Sequence, residues 1–190
     1  GVDIHSHIAG GEVNVARTLR PEDHIKDIVR KTALTRSGTG YSIPSTFVTG
    51  YRYSKLGYTT VMNGSIAPIG AKHVHEEFND MPLIDKGTYT LLGDWWVVLE
   101  NLAKGDIEEC ARHIAWMFQT TKSYVIKIVN PGGLESWGFG RNVHSIDDQV
   151  PNFCVTPREI VRGLVKVNKM LNLPHTIHLH TNNLGTPGNY

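Results

Sequence analysis

Val2-Asp3-Ile4-His5-Ser6-His7-Ile8 opens the 190-residue sequence, and the rest of the chain is read outward from it. The stretch predicts a short β-strand. Side chains alternate with period two along a strand, so Val2, Ile4, Ser6 and Ile8 share one face and Asp3, His5 and His7 the other. The two imidazoles then point the same way and can converge on one ion, which suits Zn²⁺ or another borderline divalent metal. Asp3, deeper on that face, is either an acceptor behind the ligands or a buried strand-start residue. The competing reading is a polar strand end that holds no ion. What lies at later strand ends decides between them.

Composition narrows the classes of function. The length suits one domain, 1–190, with a sizeable core. A formal net charge of +1 gives no reason to expect nucleic acid or an anionic membrane as partner. No apolar run approaches the roughly 18 residues of a membrane helix, and no signal-peptide pattern is visible. Cys110 and Cys154 lack CxxC spacing and read as free thiols in a reducing cytoplasm. The ten histidines are many for this length. Beyond the first pair, His73 and His75 form one cluster and His175, His178 and His180 another. The chain starts without Met on a chemically rich strand and stops in a Pro-Gly-Asn loop, so it reads as a fragment.

Taken in order, Ala9-Gly10-Gly11-Glu12 reads as a flexible turn, and Pro21-Glu22-Asp23 opens a helix through Lys31. Residues 35–57, rich in Ser, Thr, Gly and Tyr, read as a long loop. In it Tyr41, Tyr51, Arg52 and Tyr53 line either a substrate channel or a surface contact. Thr59–Asn63 is a second strand, 65–72 a loop, and His73 opens a helix in which His73 and His75 do not face each other. Thr88–Gly93 is a third strand, with Asp94 capping a helix from Trp95 to about Ala103. Asp106–Thr120 is helical, with Ile107, Cys110, Ile114 and Met117 or Phe118 as core. Tyr124–Val129 is a fourth strand, followed by a loop to Val155. Thr156 caps a helix with Pro157 at its first position, running to about Leu171. Thr176–Thr181 is a fifth strand.

Strand and helix alternate without hairpin signals, which predicts a parallel sheet with right-handed crossovers. Gly10-Gly11 does not match the phosphate turn of an open doubly wound sheet. The expected fold is therefore α/β, five βα units of a TIM-like (β/α)8 barrel, incomplete in this sequence. In such barrels the chemistry sits at the C-terminal strand ends. His5 and His7 end the first strand, Lys127 lies near the end of the fourth, and His178 and His180 end the fifth. Lys127 shares a strand face with Val125 and Val129. Burying an unpaired ammonium is expensive. One solution is a depressed pKa, which lets the neutral amine take up CO₂ as a carbamate able to bridge two metals. The other is a carboxylate partner or an amine that reaches the barrel mouth.

HxH on strand one, a buried lysine on strand four and a histidine on strand five resemble the dinuclear amidohydrolase superfamily. The local wording is similar to one branch of it, the family of the amidohydrolase subunits of formylmethanofuran dehydrogenase. It is carried by Val2–Gly10, His75-Glu76-Glu77-Phe78, Lys127-Ile128-Val129-Asn130-Pro131-Gly132-Gly133 and His178-Leu179-His180-Thr181-Asn182-Asn183-Leu184-Gly185. The resemblance implies two divalent metal ions, usually zinc, bridged by a carboxylated lysine. It implies a protein that joins formate to the amine of methanofuran, or hydrolyses formylmethanofuran, within a complex. In that complex another component with a molybdenum or tungsten pterin, alongside Fe–S centres, makes the formate, which arrives by an internal tunnel.

Carried over, His5 and His7 bind one metal, carboxylated Lys127 bridges both, and His180 binds the second. His180 is preferred to His178 because His180-Thr181-Asn182-Asn183 matches the superfamily pattern; His178, one pleat deeper, stands behind the ligands. Asn182, Asn183 and Asn63 either orient substrate or satisfy backbone groups. The family's catalytic Asp and a further metal-binding His are expected beyond Tyr190, and its β-sandwich before Gly1. Three other functions stay open. They are the hydrolytic subunit of a formyltransferase/hydrolase complex, a dihydropyrimidinase-like cyclic amidohydrolase, and a barrel that serves only as scaffold.

Overall fold

The computed structural model describes residues 1–19 and 44–182. The helix expected from Pro21, Tyr41 and Asn183 lie outside these residues. The chain divides into two compact units, Gly1–Thr88 and Tyr89–Tyr190. The strand order is β1-β2-β3-β4-β5, and the pairs β1/β2, β3/β4 and β4/β5 are parallel.

In the first unit, β1 (Val2–Ser6) lies beside β2 (Thr60–Ile66), and the Asp85 amide at the start of β3 (Asp85–Leu91) donates to the Thr59 carbonyl at 2.8 Å. β1 pairs Val2 with Thr60 and Asp3 with Val61, but Ser6 with Asn63, so a bulge interrupts the strand between Asp3 and Ser6. The strand stops at Ser6, two residues before the expected end, and His7 follows directly.

Three expectations of irregular structure fail in this unit. The turn expected at Gly10-Gly11 is the start of helix α1 (Gly11–Leu19), with Glu12 in its first turn and Val13 and Arg17 buried one turn apart. The loop expected over 35–57 contains helix α2 (Thr46–Lys55), so Tyr51, Arg52 and Tyr53 are helical. Thr, Val, Tyr and Gly are poor helix formers, which is why composition pointed to a loop. The helix is held from outside. The Ser45 side chain accepts the Val48 amide at 3.3 Å, and Gly50 lies so close to Pro82 that an added Cβ would sit 2.2 Å from its carbonyl oxygen. The loop expected over 65–72 is mostly ordered too. β2 runs to Ile66, a 3₁₀ turn covers Pro68–Gly70 and helix α3 (Ala71–Asn79) starts at once. Val61, Ile66, Val74, Phe78, Met81 and Ile84 form this unit's core.

The second unit carries the end of β3, helices α4 (Trp96–Lys104) and α5 (Ile107–Thr121), β4 (Ile126–Val129), the short α6 (Gly133–Gly138), α7 (Pro157–Met170) and β5 (His178–His180). Asp94 does not cap α4. Trp95 occupies that position with no side-chain bond. Asp106 caps α5 by accepting the Glu109 amide at 2.9 Å. Thr156 and Glu159 form a full capping box on α7, worth about 1 kcal/mol. Cys110, Ile114, Met117 and Phe118 are buried against Leu99, Ile160 and Leu164 in one core, as the helical spacing predicts. Cys110 is buried and free, and Cys154 is exposed and free.

Candidate metal centre

Each unit carries one half of the expected ligand set at the C-terminal ends of its strands. In the first unit the His5 and His7 rings lie edge to face, with centroids 5.5 Å apart. The bulge interrupts the alternation of β1, yet the two rings remain neighbours. Asp3 turns back on its own strand, where Oδ1 accepts the His5 backbone amide at 3.1 Å. Asn63 is fully buried. Its Oδ1 accepts the amides of Ile8 at 3.0 Å and Ala9 at 3.2 Å, and its Nδ2 donates to the Ser65 carbonyl at 3.0 Å. It acts as a strut that fixes the chain just after His7. The Ser6 and Tyr53 hydroxyls are hydrogen-bonded, tying the end of β1 to α2. Burial pushes the Tyr53 phenol above its ordinary range.

A residue that the sequence reading passed over shapes this half. An added Cβ at Gly64 would lie 2.5 Å from His5 Nε2, so only glycine lets the ring rest on β2. A glycine in the interior of a strand was the available signal. His73 and His75 do not act together. His73 Nε2 meets Asn14 Nδ2 at 2.9 Å, while His75 packs edge-on against Phe78.

In the second unit Lys127 is 1% exposed, and its Nζ is buried with no hydrogen-bond partner among the described residues. Burial brings its pKa down to about 8. Its neighbours in register are Leu91 on β3 and His178 on β5, while Val129 pairs with His180. His178 therefore stands level with Lys127 and His180 one pleat nearer the strand end. The His178 ring packs against Tyr89, 4.9 Å between centroids. Beyond β4, the Asn130 amide donates to the His180 carbonyl at 3.0 Å, and Asn182 Nδ2 donates to the Pro131 carbonyl at 3.0 Å. The loop after the lysine strand is thus fastened to the loop after the histidine strand.

Asp94, expected as a helix cap, lies in the turn between β3 and α4 with its carboxyl partly buried. Burial, with Glu135 nearby, raises its pKa to about 6. Glu135 is itself raised by burial, and accepts the Trp96 indole N–H at 2.9 Å. Among the described residues, no three His, Cys, Asp or Glu side chains come together as a metal-holding group.

The family model described as "Amidohydrolase family" matches residues 1–190. The chain is 57% identical to Protein FwdA of Methanocaldococcus jannaschii over 190 residues, all of this chain and 33% of the relative. It is 31% identical to FhcA, a component of the formyltransferase/hydrolase complex Fhc of Methylorubrum extorquens, over 99% of this chain and 34% of the relative. It therefore spans about a third of the length of these relatives. The crystal structure of the Methylorubrum extorquens FhcABCD complex with methylofuran superposes with a TM-score of 0.85 at 30% identity, covering 99% of this chain and 34% of that one. The five parallel strands with their intervening helices are thus part of a TIM-like barrel, and the chain belongs to the amidohydrolase family.

Proposed function

We propose that the chain is part of the amidohydrolase subunit of a formylmethanofuran dehydrogenase, which condenses formate with the amine of methanofuran or runs the reverse hydrolysis. The balance is formate plus ammonium giving formamide plus water. The observation that carries this reading is Lys127, a buried amine with no partner among the described residues and a pKa of about 8, on a strand beside the His178-Leu179-His180 strand.

Burial shifts that amine toward the neutral form that carboxylation needs. Once the ammonium has given one proton to water, the lone pair forms an N–C bond to CO₂, one C=O π pair moves onto oxygen, and a second proton leaves the nitrogen to water. The cation becomes a carboxylate able to bridge two divalent metals, zinc in this proposal. His5 and His7 would hold one metal and His180 the other, with Asp3 and His178 behind them. When bound, two such ions polarise a carbonyl and acidify water. The chain's own residues do the positioning. Asn63 holds the segment after His7, Gly64 leaves room for the His5 ring, and Asn182 pins the loop after Lys127. In this reading Asn182 and Asn183 are the residues to test for orienting substrate. The proton is moved by an aspartate elsewhere in the full-length protein. In this reading 1–190 belongs to one barrel domain, and the partners are the pterin and Fe–S subunits of a cytoplasmic complex in one-carbon metabolism. No helix among the described residues is long and apolar enough to cross a membrane.

A second reading, the hydrolytic subunit of a formyltransferase/hydrolase complex, is favoured by the likeness to FhcA. The higher identity to FwdA, 57% against 31%, supports the first. The test uses the full-length protein. His5→Ala and His7→Ala are expected to lower bound metal and abolish formyl-amide hydrolysis. Lys127→Ala should lose both and regain part with a short carboxylic acid, whereas Lys127→Arg, always charged, should not. Crystallographic density is expected to show a carboxyl group on Nζ. Metal content and rate unchanged in all four variants would sink the proposal. Turnover of a hydantoin instead of a formamide would favour the cyclic amidohydrolase, and a metal-free, inactive full-length protein the scaffold.

A further inference from the structure

Beside His7 the first unit has a pocket of about 330 Å³. That volume is at the lower end of the roughly 300–1,000 Å³ usual for small-molecule sites. Ile8 and Val13 give it an apolar side, and His7, Glu12 and Tyr53 supply polar groups. Glu12 stands in the first turn of α1, and both it and His7 are exposed, so a ligand can reach them.

Charge decides what kind of ligand fits. Arg17 also lines the pocket, but its guanidinium is committed elsewhere. It donates to Glu77 at 3.0 Å, to Asn14 at 2.9 Å and to the Pro44 carbonyl at 3.1 Å. Among the described residues no cation pairs with Glu12. A second carboxylate, Asp3, acts electrostatically on the Tyr53 phenol. The pocket is therefore left with an unmatched carboxylate and a phenol oxygen next to an apolar side. An ammonium has three N–H donors and no acceptor, so it suits a carboxylate and a hydroxyl oxygen together. An organic stem on that ammonium can lie along Ile8 and Val13. An anion would meet Glu12 as a like charge.

The condensation proposed above joins two reactants of opposite charge. Formate is the anion and suits divalent ions. The amine arrives as an ammonium and needs an anion of the protein.

We propose that Glu12 is a substrate-binding residue that receives the ammonium group of the amine substrate in the pocket beside His7, with the Tyr53 hydroxyl as second acceptor. This rests on the formamide reading above and assigns the place where its amine is held.

The test measures binding to the full-length protein at pH 7 by calorimetry, separately from turnover. The probes are benzylamine, an ammonium at that pH, and benzyl alcohol, its uncharged counterpart. The wild type is expected to bind benzylamine about tenfold more tightly than benzyl alcohol, a margin that shrinks as salt is raised. Glu12→Gln, of the same length but uncharged, is expected to bring the two probes within about twofold of each other. Glu12→Asp keeps the charge and is expected to retain a preference of at least about threefold. In the condensing direction, Glu12→Gln should raise KM for the amine about tenfold and leave KM for formate within about twofold. Equal binding of the two probes by the wild type, or a full preference that survives Glu12→Gln, would overturn the assignment. Turnover of formyl amides without any such preference would strike Glu12 from its role and leave the reaction. A Glu12-dependent preference in a protein that turns over no formyl amide would fault the reaction and leave Glu12 as an ammonium-binding residue.

Discussion

Two buried ionisable side chains show how environment, not residue type, sets the chemistry. Lys127 is expensive as an ammonium because no described residue accepts a hydrogen bond from it, and the same burial shifts it toward the neutral amine. Asp94 shows the cost from the acidic side. Its pKa stands at about 6 against 3.8 in the ordinary state, so between those values the native chain binds more protons than the unfolded one. Stability therefore falls as pH rises through that window, and the penalty is full above about pH 6. A shift of two units sets its ceiling at about 3 kcal/mol. Asp94→Asn is expected to raise the thermal midpoint of the full-length protein at pH 7.5 and to lose that advantage near pH 4. Equal melting of the two proteins at pH 7.5 would show that the carboxyl is solvated.

Among the elements, β2 does more than pair with β1. Its Asn63 braces the segment after His7, and its Gly64 seats the His5 ring. Gly64→Ala places a methyl 2.5 Å from His5 Nε2, and the ring must swing away. A disturbed ligand support typically lowers metal affinity by 10–100-fold, so a loss of at least about tenfold is expected by competition with a chelator. Affinity equal to wild type would mean that the ring is not held over β2. Helix α2 is ordered by a different route. Its residues disfavour a helix, and the Ser45 cap with the close seat of Gly50 on Pro82 overrides them.

At the scale of the whole molecule, the strand order leaves β1 and β5 at its two ends, and both carry exposed apolar residues. Val2 is 59% exposed, Ile4 64% and Leu179 42%. Exposed apolar strands of this kind pair with other chains unless something covers them. The 190-residue chain produced by itself is expected to self-associate at about micromolar concentration in sedimentation velocity, with no cooperative thermal transition as a monomer. A monomer with a single sharp transition would contradict this.

The alternation of strand and helix, the core face of α5, the cap at Thr156, and the histidine and lysine strands are all legible in the amino-acid sequence. Each of these is a local pattern: periodicity, a capping residue, or a chemically costly residue on an apolar strand. Strand limits were off by several residues because pairing partners, not propensity, set where a ladder starts and stops. Tertiary contacts were needed to see that α2 is a helix, that Asp94 is a partly buried acid in the turn after β3, that Asn63 is a strut, and that Gly64 seats His5. They alone showed Lys127 and Arg17 with buried nitrogens lacking a partner among the described residues. Those facts depend on what lies across from a residue, and the neighbours that impose them are dozens of positions away: Glu77 lies 60 residues from Arg17 in sequence and Asn63 lies 55 from Ile8.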